Sequence, residues 1–407
     1  MKVLVADKFE QSGLDALKAA GCEVIFEPDA SDDTLIAAIK KTKAPVLVVR
    51  STQVTAAMMD AGALSLIVRA GAGVNTIDVA AASKRGIYVS NCPGKNSVAV
   101  AELTMGLILA LDRRIPDNVA ELRAGTWNKK EYSKAKGLMG QTLGLLGFGH
   151  IGREVAKRAR AFGMPVLVWS RRFDDDAEAR EAAQSDFGVE VVDSPQTLMQ
   201  RSDIVSVHIA LTKETKGFVN AALLKHARVG AYIINTARAE VMDYAALADA
   251  VKNKSIRVGL DVFENEPSSA TAAFVDTLCA SPAVFGTHHI GASTNQAQEA
   301  IADETVRIIR SYKDTGKVPN VVNLATQTPA THMLVVRHRD KPGVLAHVFE
   351  YLRVARLNVQ ETENIIFDGA HAAVARINLD GAPSNRALDA MQSGNADILD
   401  LQLVKLG

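Results

Sequence analysis

Short apolar runs rich in valine and isoleucine alternate along most of this chain with segments in which apolar residues recur every three or four positions. The runs read as buried strands and the periodic segments as amphipathic helices, so their alternation predicts parallel sheets covered by helices. A first series, to about residue 95, contains the strands KVLVAD, APVLVVRS, LSLIVRAGAG and IYVSNCPG, with helices such as SGLDALKAAG and DDTLIAAIKK between them. A helix near residues 98–114 leads into a second series: TLGLLGFG, PVLVWS, DIVSVHIA, AYIINTAR, IRVGLDVF and AVFGTHHIG. The helical segment NQAQEAIADETVRIIRSYKDTG follows, and then VPNVVNLATQTPAT, whose breakers and polar residues suit a linker. Past residue 330 the order changes to a strand HMLVVRH, a helix GVLAHVFEYLRVAR, and AHAAVARINLD and ADILDLQLVKL around another helix. That order predicts a small α+β domain.

Composition narrows the function. A chain of 407 residues exceeds what one core usually fills. Its 46 basic residues balance 46 acidic ones, which gives no global attraction to nucleic acid or an anionic membrane and points to a small-molecule partner. Cys22, Cys92 and Cys279 are far apart, so neither a disulfide framework nor a metal site is expected, and a reducing, cytoplasmic setting follows. MKVLVADKFE reads as a strand rather than a signal peptide, and the most apolar segment, VAVAELTMGLILAL, contains Glu102 and is too short to span a bilayer.

Gly147, Gly149 and Gly152 sit between a strand and an amphipathic helix with the spacing GxGxxG, and a second strand follows. The first glycine permits a tight turn, the second lets backbone approach a pyrophosphate, and the third lets helix and strand pack closely. An acidic residue normally ends the second strand and binds the ribose hydroxyls. Here Ser170 takes that place, with Arg171 and Arg172 beyond it, so NAD and NADP both remain open.

Three charged residues fall at or shortly after strand ends, where open α/β sheets bind ligands: Arg238, Glu266 and His289. The motifs RAGAGVNTID, NCPGKNSVAVAE, INTARAEVMD, GLDVFENEP and THHIG, in this order over residues 1 to about 320, resemble those of the D-isomer-specific 2-hydroxyacid dehydrogenases. The resemblance implies a discontinuous substrate domain at 1–95 and 290–320, a Rossmann-like NAD(P) domain at 96–289 with a cleft between them, and a separate terminal domain at 330–407. It implies His289 as the base for the alcohol proton, Glu266 as its orienting carboxylate, and Arg238 as the fork for the substrate carboxylate. His288 occupies the family's usual proline position and receives no role. Alongside the glycines and residues 170–172, His150, Ile151, Ala237 and Asp261 are implied at the cofactor. Arg50, Ser51, Ala72, Gly73 and Asn96 join Arg238 at the substrate.

Two features point to a phosphorylated substrate, 3-phospho-D-glycerate, oxidised at the entry to serine synthesis. Arg50 and Ser51 end a strand of the first domain and could hold a phosphate. The terminal segment VVRHRDKPGVLAHVFEYLRVARLNVQ resembles an ACT domain, which implies an L-serine effector site from His338, Asp340 and Asn358 between paired subunits. A glyoxylate or hydroxypyruvate reductase with a regulatory tail is the enzymatic alternative, and a nucleotide-sensing corepressor the non-enzymatic one. The expected assembly is a homodimer or homotetramer.

Overall fold

The computed structural model describes residues 1–267 and 271–406. The chain divides into two compact units, Met1–Asn323 and Leu324–Gly407.

The first unit holds two parallel sheets. One contains β1 (Lys2–Val5), β2 (Glu23–Phe26), β3 (Val46–Val49), β4 (Leu66–Arg69) and β5 (Tyr88–Asn91), in the flavodoxin-like order β2-β1-β3-β4-β5. The other contains β6 (Leu143–Leu146), β7 (Val166–Trp169), β8 (Glu190–Val191), β9 (Ile204–Val207), β10 (Tyr232–Asn235), β11 (Arg257–Leu260) and β12 (Val284–Gly286). Its order is the Rossmann-like β12-β11-β10-β9-β6-β7-β8. Central strands such as VLVV in β3 and YIIN in β10 are buried along their whole length, as a sheet covered on both faces requires. Two strands escape the hydrophobic pattern: β2, a partly exposed edge strand, and the two-residue β8.

The helix Ser97–Arg113 carries the chain to the second sheet and packs on β10 and β11. The helix Asn295–Thr315 returns it, packing on the helix Gln11–Ala19 and on β4. Glu304, buried on the returning helix, ties the outward crossing to it. Its carboxylate accepts from Arg307 at 2.6 Å and from Asn320 at 2.7 Å and pairs with Lys95 at 3.4 Å. These contacts, Arg307 first, bring its pKa down to about 2 against the opposing effect of burial.

The second unit is a four-stranded antiparallel sheet, β13 (His332–Arg339), β14 (Val359–Ile366), β15 (Ala372–Leu379) and β16 (Ile398–Lys405), in the order β14-β15-β13-β16. Helices Val344–Val354 and Asn385–Ser393 supply Val348, Leu352 and Met391 to a core with Leu334, Val336 and Ile377. The edge strand β14 is exposed over most of its length and carries no apolar alternation. No described helix is long and apolar enough to cross a membrane. No group of three His, Cys, Asp or Glu among the described residues could hold a metal.

Candidate active site

The glycine loop lies where the second sheet reverses its strand order, between β6 and β9. A β-carbon on Gly147, whose φ is +101°, would lie 2.7 Å from the His208 carbonyl group. One on Gly152 would lie 2.6 Å from the Gly147 oxygen, whereas Gly149 opens onto free space. Gly149 also starts the helix His150–Ala161 without a side-chain cap, so the first amides of that helix are left for an anion. Strand order, open glycine and uncapped helix together fit a dinucleotide. The His150 ring packs against Gly94 in the crossing between the sheets. His208 is kept neutral by burial, its pKa down at about 3, and its Nδ1 has no hydrogen-bond partner among the described residues.

A cleft of about 630 Å³ runs along the strand ends of the first unit. Of the residues expected at substrate or cofactor, Ala72, Gly73, Asn96, Ile151, Ala237 and Asp261 line it, as do Arg238 and His289. Asn235 at the end of β10 shapes the turn that carries Arg238: its side chain accepts from the Ala237 amide at 3.0 Å and donates to the Arg238 carbonyl at 2.9 Å. A β-carbon on Gly73 would lie 2.5 Å from Arg238 Nη2, so any side chain here would push the guanidinium from this position.

His289 Nδ1 donates to Glu266 Oε2 at 2.7 Å, and the other carboxylate oxygen accepts from the Phe263 amide at 2.8 Å. Burial raises the Glu266 pKa, but these two bonds and the charges of His289 and Arg238 outweigh it and hold the carboxyl below its usual range. His289 has φ +51°, uncommon for a residue with a side chain. Buried Asp261 stabilises that turn by accepting from Thr287 Oγ1 at 2.6 Å and from the Ile290 and Gly291 amides at 2.9 and 2.8 Å. Asp261 thus shapes the histidine turn as well as lining the cleft. His288 is exposed and makes no hydrogen bond among the described residues.

The first sheet adds positive charge. Asp7, just beyond β1, accepts from the backbone amides of Arg50, Ser51 and Thr52 at 2.7, 3.1 and 3.0 Å, which anchors the loop after β3 at the strand-order switch. Arg50 and Ser51 do not line the cleft directly. Arg69 does, and sequence reasoning gave it no role, although it ends β4 and is itself the first residue of RAGAG. Burial, and then the charges of Arg238 and Arg50, bring its pKa down to about 10 despite Cys92 and Asp7. Its Nε is buried and has no hydrogen-bond partner among the described residues.

The three residues expected at an effector do not converge within one chain. His338 is buried, with Nδ1 against the Arg339 carbonyl at 2.8 Å and Nε2 against Asn364 Oδ1 at 3.1 Å. Asp340 is exposed beside that end of the sheet. Asn358 precedes β14, whose first residue aligns with Leu379 and thus with His332, six positions from His338 and about 20 Å along the strand.

Residues 105–291 match the family described as D-isomer specific 2-hydroxyacid dehydrogenase, NAD binding domain. The chain is 39% identical to the D-3-phosphoglycerate dehydrogenase of Methanocaldococcus jannaschii over 80% of its own length, and spans 60% of that relative. It is 44% identical to the hydroxypyruvate reductase of Thermotoga maritima, covering 67% of this chain and 85% of that one. Among solved structures, NAD+-bound 3-phosphoglycerate dehydrogenase of Entamoeba histolytica is similar with a TM-score of 0.64 and 27% identity, covering 80% of this chain and 99% of that one.

Proposed function

The chain belongs to the D-isomer-specific 2-hydroxyacid dehydrogenase family, and on that premise we propose that it interconverts 3-phospho-D-glycerate and 3-phosphohydroxypyruvate. The observation that carries this reading is that Arg238 and Arg69 line the cleft with His289, and that the charge of Arg50, just outside it, reaches Arg69. One anionic end of a substrate needs one such guanidinium. Three, with Asp7 as the acid that acts on Arg69 and is itself occupied by backbone amides, suit a substrate with a carboxylate at one end and a phosphate at the other.

The protein residues divide the work. Glu266 engages Nδ1 of His289 and leaves Nε2 to take the hydroxyl proton as the C2–H bond gives up its electron pair and the carbonyl forms. The ionised Glu266 then stabilises the imidazolium and keeps the ring in place. Arg238 holds the carboxylate next to the reacting carbon, and Arg50 and Arg69 attract the phosphate. When bound, the nicotinamide supplies the hydride acceptor or donor.

The hydroxypyruvate reductase reading is favoured by the 44% identity to a relative of that name. Reduction of phosphohydroxypyruvate, hydroxypyruvate and glyoxylate by the full chain separates the two. Expected is a kcat/KM at least about tenfold higher for the phosphorylated substrate, from one or two charge-assisted contacts. Arg50→Ala then removes most of that advantage. Equal or better use of hydroxypyruvate overturns the phosphoglycerate assignment. Activity toward no 2-oxoacid, with a change of oligomeric state on adding NAD, returns the corepressor alternative. Inhibition by serine in the same assay tests the terminal unit, where His338, Asp340 and Asn358 would form a site only across two copies.

A further inference from the structure

The loop after β11 that carries Glu266 is tied to the segment after β10 by one side chain. Tyr244 follows the Arg238 turn in sequence and opens the helix Tyr244–Lys254, where Asp243 caps the first turn by accepting from the Ala246 amide at 3.0 Å. The Tyr244 ring packs against the core that includes Ile233 of β10 and Val258 and Leu260 of β11, and its hydroxyl donates to the Val262 carbonyl at 2.6 Å. Burial, and then the charges of Glu264, Asp276, Glu266 and Cys279, push the phenol above its usual range, so it stays protonated and remains a donor.

The Val262 carbonyl and the Phe263 N–H belong to one peptide group. In a trans peptide they point in opposite directions, so a donor on the oxygen and an acceptor on the N–H polarise the same dipole in the same sense. That N–H donates to Glu266 Oε1 at 2.8 Å, and Glu266 Oε2 accepts from His289 Nδ1 at 2.7 Å. One run of hydrogen bonds thus leads from Tyr244, through a peptide and a carboxylate, to the imidazole. The peptide has little room to turn, because Val262 is buried and the Phe263 ring is buried with its neighbour Phe274 edge-on at 5.2 Å. Besides His289, the charge that acts on Glu266 is that of Arg238.

We propose that Tyr244 is a positioning residue for the His289–Glu266 pair and acts through the Val262–Phe263 peptide. Its hydroxyl strengthens the amide that holds Glu266 Oε1 and so fixes the plane of the carboxylate. Oε2 then stays turned to the imidazole while the ring gains and loses its charge, with no reorganisation at the moment of proton transfer. Tyr244 lies outside the cleft lining, so its effect falls on the chemical step rather than on binding. This role rests on His289 and Glu266 moving the proton as proposed above, and holds whichever 2-hydroxy acid is the substrate.

Steady-state reduction of phosphohydroxypyruvate and of hydroxypyruvate by NADH, with the full chain, tests this. Tyr244→Phe keeps the ring in the core and removes only the hydroxyl. It should lower kcat about fivefold, the worth of one hydrogen bond, with KM for either oxoacid and for NADH within about twofold. In a Glu266→Gln background, where the run of bonds ends in a neutral amide, the same substitution should change kcat by no more than about twofold. An unchanged kcat in Tyr244→Phe overturns the role. So does an equal loss in both backgrounds, which would mean that the hydroxyl only stiffens the loop. Turnover retained by His289→Ala is a different failure: it removes the proton-transfer reading itself, whatever Tyr244→Phe does.

Discussion

The first unit brings together residues far apart in sequence, whereas the terminal unit holds apart residues that are close in sequence. Arg238, Glu266 and His289 share one site with Gly73, from a different sheet. His338 and Asn358, only twenty positions apart, lie about a strand's length from each other. One rule explains both. Parallel strands end at the same edge, so residues that follow strand ends converge, but a residue ending one strand and another preceding the next parallel strand are sent to opposite edges.

The largest expected effect tests whether convergence means chemistry. His289→Ala should lower kcat by about 1000-fold, while His288→Ala should change it by no more than about twofold. Comparable losses in steady-state assays would remove the distinction between the two histidines. Gly73→Ala comes next: its new methyl group meets Arg238 Nη2, and displacement of the fork by about 1 Å should cost on the order of 100-fold in kcat/KM. An unchanged kcat/KM would show that Arg238 does not need the position it has here.

Glu304 sharpens the comparison through stability. Its pKa in the folded chain, about 2, lies below that of an unfolded carboxyl, so its contribution is present above the unfolded value and is lost as pH falls toward 2. Glu304→Gln should cost roughly 2 kcal/mol at pH 7, between a surface ion pair and a buried one, and should narrow the gap between denaturation curves at pH 7 and pH 4. A gap of unchanged size would place the acid sensitivity elsewhere. A comparable effect and the smallest one belong to the terminal unit. His338→Ala should speed amide exchange there by about 2 kcal/mol of lost protection, and Asn358→Ala by well under 1 kcal/mol. The reverse order would mean that Asn358 has a partner which the fold of one chain does not provide.

Much of this was legible along the chain. Buried parallel strands read as unbroken apolar runs because both faces are covered, and glycine spacing marked the nucleotide turn because each glycine answers a steric demand. The motif register separated His289 from His288, and their hydrogen bonding differs accordingly. Short or exposed strands such as β2, β8 and β14 were not legible, since an edge strand need not bury a face and carries little periodicity.

Local sequence therefore determined which elements form and which residue types stand at their ends. Tertiary structure alone decided the electrostatics: that Arg69 is partly buried within reach of the charges of Arg238 and Arg50, that Asp261 shapes the turn of His289, and that Arg172 pairs with Asp176 while Arg171 makes no ion pair among the described residues. Charge and desolvation act through space, and strand order sets those distances, which no local pattern encodes.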